Sequence, residues 1–155
     1  MHGAKPWSDV FEAAGMPSKV ELKIDRWLRS HAPLTIAMEA VAGMGMQHKK
    51  GATGAEAKLG AQGLRAAYEI LREFGGTPYP GLKKRISTAP RPLLAFILRA
   101  ASRSRFRDTI GTSGGECRGL IDLLVAEARQ QGASAKNINA VLALRPATAR
   151  TAVAA

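Results

Sequence analysis

Leu64-Arg65-Ala66-Ala67-Tyr68-Glu69-Ile70-Leu71-Arg72-Glu73-Phe74-Gly75-Gly76 is the stretch that decides the fold class. Leu64, Ala67, Tyr68, Leu71 and Phe74 recur at intervals of three and four, which lines apolar side chains along one stripe of an α-helix. Gly75-Gly76, with Pro78 and Pro80 behind it, ends that helix. Elsewhere Ala, Leu, Arg, Glu and Met are plentiful while β-branched and aromatic residues are scarce, so local preference points to helices throughout. The one strand-like run is Lys19-Val20-Glu21-Leu22-Lys23. The expected architecture is a single all-α domain of five or six helices over residues 1–145, with a frayed tail over 146–155.

Working outward, a first short helix is expected from Ser8, a capping hydroxyl, with Asp9 and Glu12 complementing the helix dipole and Gly15 stopping it. A longer pattern runs from Ile24 to about Gly43 through Trp27, Leu28, Leu34, Met38 and Val41; Pro33 inside it predicts a kink or break near Ser30. Gly43 to Gly54 and Thr77 to Pro92 read as loops. Leu93, Leu94, Phe96, Ile97 and Leu98 read as a compact helix buried on most sides. Ser113 stands three residues before Glu116, the spacing of a capping box, and opens a helix that closes at Gly132; Ser134 is expected to cap a last short helix through Leu144.

At 155 residues and 46% hydrophobic the chain is long enough to bury a core. Its 23 Lys and Arg against 12 Asp and Glu leave a formal charge of +11, which favours anionic partners. A single cysteine, Cys117, excludes a disulfide framework and a Cys-built zinc site, and His2, His31 and His48 have no paired spacing, so no metal cofactor is expected. The N-terminus lacks the apolar core of a secretory signal and no stretch is long enough to span a bilayer, so a cytoplasmic protein without membrane contact is expected.

Few motifs carry chemistry. Gly43-Met44-Gly45 resembles the opening of a dinucleotide fingerprint, but His48 takes the third glycine position and no strand precedes it. From Lys83 to Arg107 the chain carries Lys83, Lys84, Arg85, Arg91, Arg99, Arg103, Arg105 and Arg107, with no acid between Glu73 and Asp108. Such a tract is either a solvated basic face or a tracker of a phosphate backbone. Trp27 reads as a core anchor and His31 as a structural histidine. Cys117 falls in the first turn of a helix whose dipole would lower its pKa, but no histidine base is placed beside it, so an unreactive, partly buried thiol is expected. Ser104, Asp108 and Glu116 form a polar set at the mouth of the penultimate helix, suited to a polar ligand or to capping and pairing.

The order of three segments resembles a known family. Phe11-Glu12-Ala13-Ala14-Gly15-Met16, then Ile24-Asp25-Arg26-Trp27-Leu28-Arg29-Ser30-His31-Ala32, then Tyr68 through Pro80 are similar to the C-terminal helical domain of ketopantoate reductases. Ser104, Asp108 and Glu116, followed by Ala126-Glu127-Ala128-Arg129-Gln130-Gln131-Gly132, resemble that family's Ser-x3-Asp-x7-Glu pattern and long final helix.

The resemblance implies the helical fold of 6-phosphogluconate dehydrogenase C-terminal domains. It also implies the substrate-binding and dimerisation half of an NADPH-dependent reductase of 2-dehydropantoate or a related anionic 2-oxo acid. Ser104 and Asp108 would then bind substrate, Glu116 would contact the cofactor, and Arg29 stands where the family has its proton-donating lysine. A guanidinium that keeps its charge is a poor general acid. Turnover would require a Rossmann-domain partner, since the chain begins where the family's second domain begins. The alternative is a small basic helical module that binds nucleic acid or another protein.

Overall fold

The computed structural model describes residues 4–105, 107, 110 and 115–146. Among them every regular element is an α-helix: α1 (Ala4–Ala13), α2 (Ile24–Met46), α3 (Gly54–Glu73), α4 (Gly81–Thr88), α5 (Arg91–Arg103), α6 (Gly115–Gln130) and α7 (Ala135–Leu142). The fold is all-α. The strand-like run Lys19–Lys23 forms no strand, and Asp108 and Ser113 lie outside the described residues.

α3 is the central element because its surface is made of small residues. Ala57, Gly60, Ala61, Gly63, Ala66 and Ala67 are all buried in it, so neighbouring helices approach closely on several sides. α2, α5 and α7 pack directly on α3, with α4 at its C-terminal half, and α6 closes the bundle against α2 and α7. The core is filled by Ile36 and Val41 of α2, Leu64, Tyr68 and Ile70 of α3, Leu94 and Leu98 of α5, Ile121 and Val125 of α6, and Val141 and Leu144 at the end of the chain. No residue of α1 joins it.

Both ends of α3 follow local rules. Thr53 caps the N-terminus: its hydroxyl accepts the Glu56 N–H and the Glu56 carboxylate accepts the Thr53 N–H, a reciprocal box. At the other end Gly75 adopts φ 71°, a left-handed turn that costs a residue without Cβ nothing. The Gly76 N–H then reaches back to the Leu71 carbonyl at 2.9 Å.

Four expectations are corrected. The first helix starts at Ala4, four residues before Ser8. α2 does not break near Ser30 but runs through buried Pro33 to Met46. Tyr68 donates its hydroxyl to the Ser30 carbonyl at 3.1 Å and the Ser30 hydroxyl accepts the Tyr79 N–H at 2.9 Å, so tertiary contacts hold the turn that precedes the proline. The stretch Thr77 to Pro92 is not all loop, because it contains α4, clamped to α3 where Arg72 donates to the Ser87 carbonyl and hydroxyl. Ser134 makes no side-chain cap. Its place is taken by Glu73 at the end of α3, whose carboxylate accepts the Ser134 N–H at 3.0 Å and the Asn137 amide at 2.9 Å.

Candidate functional site

The sequence-predicted site residues are spread along the bundle. Arg29, on the first half of α2, is exposed and paired with Glu127 of α6 at 2.8 Å. Glu116 opens α6 beside the middle of α2, where the Cys117 thiol donates to the Ile36 carbonyl at 3.6 Å. Ten residues of helix separate Arg29 from Glu39, the α2 carboxylate nearest Glu116, a rise of about 15 Å. Ser104 follows α5, with its hydroxyl donating to the Ala101 carbonyl at 2.9 Å. Of the three, only Arg29 lines one of the clefts described below.

Burial decides the character of two single residues, agreeing with the expected unreactive thiol and correcting the reading of Trp27. The Cys117 thiol is pushed up to about 12, by desolvation first and then by the Glu39 charge, which overrides the helix dipole and leaves it unreactive. Trp27 is half-buried rather than a core anchor and serves as a platform. The His31 ring stacks on it with centroids 4.6 Å apart. Lys83, only 7% exposed, places its ammonium 3.9 Å from the indole centroid and donates to the Trp27 carbonyl at 3.0 Å. Burial, and then the nearby Lys83 charge, hold His31 below its ordinary pKa. Lys83 thus leaves the outward basic tract.

A broad groove lies where the sequence was read as buried. α5 turns Leu94, Ala95 and Leu98 inward but leaves Leu93 48%, Phe96 69% and Ile97 51% exposed. Beside this face, between the N-terminal halves of α3 and α5, runs a groove of about 460 Å³. Its floor is made of small residues, Ala57, Ala61 and Ala95, with Phe96 as a wall, and its charged lining residues are Lys58, Arg91 and Arg99. Arg103 continues the cationic edge one turn further, around a second hollow shared with Phe96 and Arg99. α5 carries no acidic residue, so apolar floor and positive edge face solvent together. Helical spacing puts Leu93, Phe96 and Ile97 at i, i+3 and i+4, but Leu94, Ile97 and Leu98 have the same spacing, so the sequence did not single out the exposed face.

A smaller cleft of about 80 Å³ opens between the start of α2 and the α3–α4 turn, lined by Arg26, Arg29, Ser30, Leu71, Phe74 and Thr77 among others. Among the described residues no group of three His, Cys, Asp or Glu side chains has the geometry to hold a metal ion, and no helix is long and apolar enough to cross a membrane.

Fold and clefts together define an all-α domain with a cation-edged apolar groove. Compared with known families, curated proteins and solved structures, the chain matches no family model, no curated protein and no solved structure.

Proposed function

We propose that this protein is a binding module that docks an acidic amphipathic helix of a partner protein in the groove between α3 and α5. The observation that carries this reading is the pairing of an apolar floor with an edge on which every charged residue is cationic. A helix seated there would bury apolar side chains at i, i+3 and i+4 and offer carboxylates to Lys58, Arg91 and Arg99. The floor of alanines leaves room in the channel for bulky partner side chains. From Gly54 to Gln62 the α3 wall is about 12 Å long, some two helical turns. Two copies of α5 laid face to face would oppose their arginines, which disfavours self-pairing through this face.

The test is calorimetric titration with an amphipathic peptide of about 14 residues bearing leucines on one face and glutamates on its flanks, beside its lysine-flanked counterpart. Only the acidic peptide should bind, with an affinity that falls with salt. Arg99→Glu and Phe96→Asp, both at exposed positions, should each weaken it by at least about 10-fold. Equal binding of both peptides, or binding indifferent to both substitutions, would overturn the reading. Retention of DNA or RNA in place of the peptide, lost on mutating Lys84 and Arg85, would favour the nucleic-acid reading.

A second reading follows from the resemblance to ketopantoate reductases: a helical half with the 6-phosphogluconate dehydrogenase C-terminal-like fold, completed by a Rossmann partner. Its support is the motif order together with the exposure of Arg29, Ser104 and Glu116, all within reach of a second domain. Titration with NADPH and 2-dehydropantoate, with and without an added Rossmann domain, tests it; silence in every mixture would sink it.

A further inference from the structure

We infer that the cleft at the start of α2 is a second, independent binding site, for the carboxylate or phosphate head of a small metabolite. Arg26 and Arg29 stand one turn apart on α2 and both line the cleft, so two guanidiniums converge from one helix surface. Each spends a hydrogen bond on the protein: Arg26 donates to the Thr77 hydroxyl at 2.6 Å and Arg29 to Glu127 at 2.8 Å. A guanidinium has five N–H donors in a planar fork matched to two oxygens, so most of this donor capacity remains for an anion.

The hydroxyls of the cleft suit the same ligand. Ser30 is 3% exposed, and its oxygen accepts the Tyr79 N–H. Among the described residues nothing accepts its own proton, which an oxyanion in the cleft would do. Thr77, whose oxygen is already occupied by Arg26, likewise keeps its proton to donate.

The electrostatic surroundings are positive. Lys23 and Arg26 lie 5.9 and 5.7 Å from the Tyr79 ring centroid, and Lys83 of α4 sits over the ring of Trp27, the residue after Arg26. The carboxylates nearby are Glu127, held by Arg29 and by the Gln131 amide, and Glu21, which accepts the Tyr79 hydroxyl and the Lys23 N–H. At about 80 Å³ the cleft takes a carboxylate or phosphate head and little more, given that one water occupies about 30 Å³ in the liquid. Leu71 and Phe74 line it too, so a short apolar tail has a surface to lie on.

The test is titration of the full chain with inorganic phosphate, acetate and isobutyrate at constant ionic strength, followed by amide and guanidinium N–H shifts in NMR. Saturable shifts confined to Arg26, Arg29, Ser30 and Thr77 are expected. Isobutyrate binding more tightly than acetate would assign a tailed carboxylate, and phosphate binding most tightly a phosphorylated ligand. Arg26→Gln and Thr77→Val, both at exposed positions, should each weaken the preferred anion at least 10-fold, whereas Arg99→Gln, in the other groove, should leave it unchanged. Shifts that rise without saturation, that spread over the surface arginines alike, or that survive Arg26→Gln would overturn the inference. Because the two sites share no residue, failure here leaves the peptide titration to stand or fall by itself.

Discussion

Glu39 shows how one buried group sets a pH dependence. It is 7% exposed, one carboxylate oxygen has no hydrogen-bond partner, and its pKa is raised, first by desolvation and then by Glu116. The folded state therefore disfavours the charge that the unfolded chain carries freely above its ordinary 4.5, so Glu39 costs stability at neutral pH and the cost fades as pH falls through the folded pKa. Glu39→Gln should stabilise the protein at pH 7 by about 1 kcal/mol. In urea titrations the two proteins should converge as pH approaches 4.5; a constant gap would show that the charge is not the cause. Gly60 sets a steric limit of similar weight. A Cβ there would collide with the Val41 side chain and come within 3.2 Å of Leu98, where α2, α3 and α5 meet. Gly60→Ala should cost about 1–3 kcal/mol, read as a lowered denaturation midpoint, even though alanine is the better helix former.

Elements were legible where their signal was local. The stripe through Leu64, Tyr68 and Leu71 and the stop at Gly75 fixed α3 from spacing alone, and Gly132 closes α6 as its position implied. α4 was hidden because Gly81 and the flanking prolines speak for turns, while what holds the helix is a clamp from Arg72, distant in sequence. α5 was recognised as a helix but misjudged in burial: a run of five apolar residues cannot say which face a partner covers. Likewise Lys83 reads as one more cation in a basic tract, and its inward turn depends on Trp27 lying 56 residues away. The link between Glu73 and α7 is of the same kind, and it carries a prediction. Glu73→Ala removes acceptors for the Ser134 N–H and the Asn137 amide and should cost about 1–2 kcal/mol. Loss of amide-exchange protection should concentrate in residues 135–142; uniform loss across the bundle would contradict a capping role.

On the scale of the whole molecule, stability and recognition are divided between different parts. The core belongs to α2 through α7, and α1 stands apart, its Trp7, Val10 and Phe11 exposed and, among the described residues, its side-chain hydrogen bonding limited to Ser8 with Ser18. A chain starting at Met16 should therefore melt within about 3 °C of the full protein, a difference of roughly 0.5 kcal/mol; a larger fall in a thermal melt would reveal packing by α1. The formal +11 charge is likewise uneven. The stretch between Glu73 and Asp108 holds cations without a compensating acid, and on α5 these flank the exposed apolar face, so an acidic partner is drawn to the surface that can also bury its hydrophobic side chains.

The carboxylate that leaves the end of α3 to hold the start of α7 bears on how the chain completes itself. Eight residues are too few to sustain a helix alone in water, so α7 takes shape only once the helix ending 61 residues before Ser134 is already in place. A protease that cuts within residues 135–142 would thus act as a clock for the final step of assembly, sparing the segment once the central helix has closed over it.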